Sequence, residues 1–180
     1  GEEEWRVHTV GFPTIDLIAK NNYATQMEVI NDLQLDLKKP ILLFTQHSVT
    51  TEFYNAVSQL EPSIRALRYL ADKKEAQIIV TYPNNDAGGK DIVLELQKLS
   101  RMCVNGFQVH RSLGRYLYYG VLALALNKEI KVACVGNSSS GIKEPPFFGC
   151  PTVNVGSRQD GRLTGQNVIH TNYGYNDVIE

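Results

Sequence analysis

The sequence predicts an α/β fold, a parallel sheet with helices on both faces. Three observations carry this. Short apolar runs rich in β-branched residues recur along the chain, amphipathic helical patterns alternate with them, and several runs end in glycine or another turn residue. Strands buried on both faces read as near-continuous hydrophobic runs, unlike the in–out alternation of a half-solvated antiparallel sheet.

The elements follow in order. "ATQMEVINDLQL" sets Met27, Ile30 and Leu33 at helical spacing, with Val29 near the same face. "ILLF" (Ile41–Phe44) is the first strand. "TTEFYNAVSQLEPSIRALRYLADKK" reads as two helices, or one broken before Pro62, because the residue before a proline avoids helical backbone. "AQIIVTY" (Ala76–Tyr82) is the second strand, and "GGKDIVLELQKLSR" is a helix with Ile92, Leu96 and Leu99 on one face. "MCVN" (Met102–Asn105) reads as the third strand. "SLGRYLYYGVLALAL" is apolar nearly all round, the pattern of a helix packed on several sides. "KVACVG" (Lys131–Gly136) and "PTVNVG" (Pro151–Gly156) complete the strands, with no internal repeat.

Composition narrows the function classes. A length of 180 residues fits one domain, and 43% hydrophobic residues can build a sizeable core. A net charge of −1 recruits neither nucleic acid nor an acidic membrane surface. Cys103, Cys134 and Cys150 are odd in number and lack CxxC spacing, which favours buried free thiols over a metal or redox site. No secretory leader pattern opens the chain, and its longest apolar stretch is about half a membrane span. The expectation is a cytoplasmic protein with no metal and no cofactor.

In a parallel sheet, ligands bind outside the carboxyl ends of the strands. Five loops qualify: "TQHSVTTE", "TYPNNDAGG", "NGFQVHRS", "GNSSSG" and "GSRQDGR". They hold most of the unusual polar residues. "VACVGNSSSGIKE" reads as strand, tight turn and helix start. There, unpaired backbone N–H groups and the helix dipole suit a phosphate, and Ser138, Ser139 and Ser140 add hydroxyls. Pro145 and Pro146 require the helix to begin near Gly141 or to kink, and "FFGCP" ends it. Serines also cap helices generally, Glu144 in a first turn can simply compensate a dipole, and Arg158 or Arg162 alone could be a solvated loop charge. No serine stands in a GxSxG elbow, and "GSRQDGRL" has Arg162 and Leu163 where a P-loop needs Lys-Ser/Thr. Asp86 has no second metal ligand at suitable spacing, so helix capping before "AGGKDI" is its expected role.

Taken together, "GNSSSGIKE…FFGCPTVNVGSRQDGR…NVI" resembles the UDP-N-acetylglucosamine 2-epimerase family, in its hydrolysing, sialic acid biosynthesis branch. "TYPNNDAGG" is similar to that branch's PN-x-D-x-G segment, and "TQHSVTTE" to its FHPVT segment, with Gln46 and Ser48 departing. The resemblance implies that residues 1–180 form the C-terminal, UDP-binding, Rossmann-like half of a two-domain GT-B fold. The N-terminal catalytic domain would be absent from this chain and would hold the catalytic carboxylates. "NDVIE" reads as the start of a further helix.

By the same resemblance, Ser138 and Ser139 contact the diphosphate, Glu144 holds the ribose hydroxyls and Arg158 faces the nucleotide. His47 reaches the phosphates or sugar, Asn84 lies near the uridine diphosphate, and Val109 lines the base pocket through its backbone. His110, its neighbour, reads equally as a surface histidine. The implied reaction converts UDP-N-acetylglucosamine and water to N-acetylmannosamine and UDP through a glycal, without a cofactor. The full-length protein would be a homo-oligomer, and the isolated fragment would bind UDP weakly without turnover. Another GT-B nucleotide-sugar enzyme, either a non-hydrolysing 2-epimerase or a glycosyltransferase, and a non-catalytic nucleotide-binding domain remain as alternative readings.

Overall fold

A computed structural model describes residues 2–102 and 104–180. The elements run α1 (Thr14–Ala19), α2 (Gln26–Leu33), β1 (Ile41–Thr45), α3 (Ala56–Asp72), β2 (Gln77–Thr81), α4 (Gly89–Arg101) and β3 (Phe107–His110). They continue through α5 (Gly114–Ala123), β4 (Val132–Gly136), α6 (Ser140–Lys143), α7 (Pro145–Phe148), β5 (Thr152–Val155), β6 (Val168–Thr171) and α8 (Tyr175–Ile179). All strand pairs are parallel, in the spatial order β3-β2-β1-β4-β5-β6. This is the doubly wound Rossmann-like arrangement, with its order reversing between β1 and β4.

The sheet is buried on both faces. Ile41 and Leu43 of β1, Ile79 of β2 and Val132 and Cys134 of β4 pack with Val29, Leu33, Leu122 and Phe148 on one side. Phe44, Ile78, Val80, Val135 and Val155 pack with Leu60, Ile64, Leu67, Ile92 and Leu96 on the other. Alternate residues of each strand thus feed opposite cores, which is why the strands read as unbroken apolar runs. In α4, Ile92 and Leu96 are buried as the spacing predicts, with Leu99 packed against them. In α2 the buried pair is Val29 and Leu33, whereas Met27 is 66% exposed, so the inward stripe is rotated from the expected one.

Three sequence expectations change. The third strand is Phe107–His110 rather than Met102–Asn105, of which Cys103 lies outside the described residues. Met102 ends α4 and Gly106 turns at φ 76°, so the extended backbone begins only at Phe107. Gln108 and His110 disguise this strand by interrupting its apolar pattern. Next, α3 runs unbroken through Pro62. The Ser58 carbonyl left without a helical partner lies on an exposed residue, where water can take it. Lastly, β6 adds a parallel edge strand, whose apolar run stops after Val168 and Ile169 at His170 and is too short to read as a strand.

Candidate functional site

At the reversal, the loops after β1 and β4 lie side by side. Gly136 ends β4 at φ 119°, and a Cβ there would overlap the Thr45 carbonyl, so only glycine lets the strands close up at this point. Asn137 follows, fully buried. Its N–H donates to the Thr45 carbonyl at 3.1 Å, prolonging the ladder by one residue. Its side-chain Oδ1 accepts from the His47 N–H at 2.6 Å, and its Nδ2 donates to the His47 carbonyl at 2.8 Å.

His47 is placed by its backbone and oriented by its ring. The Asn84 N–H donates to His47 Nδ1 at 2.9 Å, so the neutral ring carries its proton on Nε2. Burial, reinforced by the Arg158 charge and opposed by Asp86, lowers the His47 pKa to about 4. The imidazole is therefore an uncharged donor at neutral pH. Asn84 Nδ2 donates to Asp86 Oδ2 at 2.6 Å, and that oxygen lies 3.7 Å from Arg158 Nη2. Asp86 thus faces an arginine rather than capping α4, whose N-cap is Gly88 in a left-handed conformation. Arg158 is held in turn, with Nη1 donating to the Asn137 carbonyl at 3.2 Å. Burial lowers its pKa first and Asp86 opposes this. Gln159, also buried, donates from Nε2 to the same carbonyl at 2.6 Å.

The serine turn continues from Asn137. Ser138 Oγ accepts from the Ser140 N–H at 3.3 Å. Among the described residues, the N–H groups of Ser138 and Ser139 donate to no other part of the chain. The helix they introduce is shorter than expected. α6 is one turn, Ser140–Lys143, and α7 restarts at Pro145 and ends at the left-handed Gly149. A single turn carries little dipole, so the groups here whose chemistry suits an anion are the free N–H groups, the hydroxyls and Arg158. Glu144 stands at the junction of the two turns rather than in a first turn. It is 7% exposed, and its Oε2 has no partner. Burial raises its pKa, and the Ser140 hydroxyl is the largest influence in the other direction.

A cleft of about 250 Å³ opens beside this turn, lined by Thr81, Tyr82, Arg111, Arg115, Tyr119 and Ser140 among others. Val109 lies on β3, its side chain turned into the second core. The structure therefore joins His47, Asn84 and Arg158 in one network and sets Ser138 and Ser139 next to it in sequence. Glu144 lies at the junction of α6 and α7, outside that network, and Val109 lies on the edge strand β3. Gln46 and Ser48, the two departures in "TQHSVTTE", are both buried, and Gln46 Nε2 donates to the Gln59 carbonyl at 2.8 Å. They serve packing. Sequence reading missed Asn137, Gln159 and the Asp86–Arg158 pair. Asn137 had a signal, as the first polar residue after a strand-ending glycine.

A family model described as UDP-N-acetylglucosamine 2-epimerase matches residues 1–180. The chain is similar to UDP-N-acetylglucosamine 2-epimerase of Neisseria meningitidis, 34% identical over 182 residues that cover 100% of this chain and 44% of that protein. It is also similar to GDP/UDP-N,N'-diacetylbacillosamine 2-epimerase (hydrolyzing) of Campylobacter jejuni, 33% identical over 169 residues, covering 94% of this chain and 42% of that one. The S. aureus MnaA-UDP co-structure superposes with a TM-score of 0.65 at 14% identity, over 99% of this chain and 44% of that one, and shows the shared fold. The chain spans less than half the length of the relatives it matches.

Proposed function

Because the chain belongs to the UDP-N-acetylglucosamine 2-epimerase family, we propose that it is the UDP-binding half of a hydrolysing 2-epimerase that converts UDP-N-acetylglucosamine and water to N-acetylmannosamine and UDP. The observation that carries this is the convergence of His47, the Ser138–Ser139 turn and Arg158 at the carboxyl ends of β1, β4 and β5. The hardest charge to manage is that of the departing diphosphate. Preorganised donors aimed at such a charge lower the barrier because they need no reorganisation as it develops.

Each residue has a role in this reading. Arg158 supplies full positive charge. His47 donates from Nε2 without charge, held in that tautomer by Asn84. Ser138 and Ser139 offer free N–H groups and hydroxyls to the phosphates. Glu144, whose buried Oε2 has no partner within the chain, accepts from the ribose hydroxyls, and the backbone at Val109 borders the base. The base that takes the C2 proton lies outside this chain. The sialic acid pathway and a cytoplasmic setting accompany the proposal. Among the described residues, no helix is long and apolar enough to cross a membrane.

Calorimetric titration with UDP tests the site. Ser138→Ala/Ser139→Ala, Arg158→Ala and Glu144→Gln should each bind roughly 10- to 100-fold more weakly, the range expected for losing charge-assisted hydrogen bonds. Unchanged affinity in all three removes the proposal. Product analysis of the full-length protein tests the reaction, with N-acetylmannosamine and free UDP expected. UDP-N-acetylmannosamine as the product would point to the non-hydrolysing reaction instead.

A further inference from the structure

We propose that Asn137 is the positioning residue of this site, a clamp that touches no ligand yet fixes His47 and Arg158 relative to each other. The inference rests on the UDP-binding reading above.

The hydrogen bonds form a closed circuit. Asn137 grips both polar groups of the His47 backbone. The His47 ring accepts from Asn84, and Asn84 donates to Asp86. Asp86 pairs with Arg158, and Arg158 returns to the Asn137 carbonyl. The circuit spans the loops after β1, β2, β4 and β5, so four separate connections are tied at one point. The regular pairing of β1 with β4 ends at Thr45 and Gly136. Beyond it, the Asn137 side-chain amide acts as a neighbouring strand would, supplying one acceptor and one donor to His47. Its two polar side-chain atoms and both backbone groups are engaged within the chain, and the residue is 0% exposed. It can therefore influence a ligand only through His47, Arg158 and Gln159. Without the amide, the His47 N–H and carbonyl lose their partners and the loop after β1 can drift from Arg158.

The test compares the full chain with Asn137→Ala. Loss of the clamp should weaken UDP binding at least tenfold, as Arg158→Ala does. The double variant should bind within about threefold of the weaker single variant, because residues acting as one unit are non-additive. A readout indifferent to general destabilisation is the His47 ring, followed by ¹⁵N NMR. In the parent it should stay neutral, with its proton on Nε2, down to about pH 4. In Asn137→Ala its pKa should move up toward 6.5, since the ring loses its buried seat beside Arg158 and Asp86. If that variant does not fold, Asn137→Ser, which retains a polar group but is too short to span both bonds to His47, is read in the same way. The unmodified chain gives a further check, because saturating UDP should slow hydrogen exchange at the Asn137 side-chain amide. Parent-like affinity, additive losses, an unmoved His47 titration or unchanged exchange each overturn the clamp. If Arg158→Ala and the serine variants also leave affinity unchanged, the UDP reading itself has failed. If they lose affinity while Asn137→Ala does not, only the clamp has.

Discussion

His47 shows how one side chain's chemistry is set by its neighbours. Burial, reinforced by the Arg158 charge, disfavours a second proton on this histidine, and its pKa falls to about 4. The unfolded chain takes up that proton near 6.5, so between about pH 6.5 and 4 the unfolded state binds more protons than the folded state. The stability contribution is complete above 6.5 and is lost as pH falls through this window. Glu144 acts in the opposite sense: burial raises its pKa, so its share of stability falls as pH rises past the ordinary carboxylate range. The urea midpoint measured from pH 7 to 4 should drop less steeply in His47→Gln than in the parent. Parallel curves would mean that the ring is not held neutral by its surroundings.

At the scale of elements, proline has opposite effects in two places. Pro145 starts α7 because the first helical turn needs no N–H from it. Pro62 sits well inside α3 and removes a hydrogen bond, yet the helix continues because one face is fixed by Leu60, Ile64 and Leu67 in the core. Tertiary packing outweighs local propensity there. Pro62→Ala should restore the bond to Ser58 and raise the free energy of unfolding by about 1–3 kcal/mol, read from chemical denaturation. A loss of stability would mean that the proline ring contributes packing or entropy exceeding the missing bond. The same competition misplaced β3: "MCVN" has strand composition, but α4 runs through Arg101 and the Gly106 turn delays the extended backbone to Phe107.

In the function proposed above, the chain supplies one wall of a cleft. His47, Asn84, Ser138, Ser139 and Arg158 follow the carboxyl ends of β1, β2, β4 and β5, and the reversal between β1 and β4 leaves the crevice in which such sheets bind ligands. One wall can hold a nucleotide without being able to take a proton from the sugar on its other side. Accordingly the chain by itself should bind UDP weakly and produce no N-acetylmannosamine from UDP-N-acetylglucosamine. Turnover by the isolated chain, assayed by chromatography of the products, would require a catalytic base among residues 1–180.

The sequence alone determined the strand-and-helix alternation, four of the strands, the polar loops and the serine turn after β4. These depend on local patterns: apolar runs, helical spacing, and glycines where the backbone must turn. It also marked His47, Asn84, Ser138, Ser139, Glu144 and Arg158 as residues of interest. Tertiary structure decided which of them meet. Asn137 reaches His47 across 90 positions, the Asn84 N–H reaches the His47 ring across 37, and Gln159 reaches Asn137 across 22. Such bonds exist only once parallel strands distant in sequence lie side by side. No local period records them, and so the sequence did not single out the residue that ties the site together.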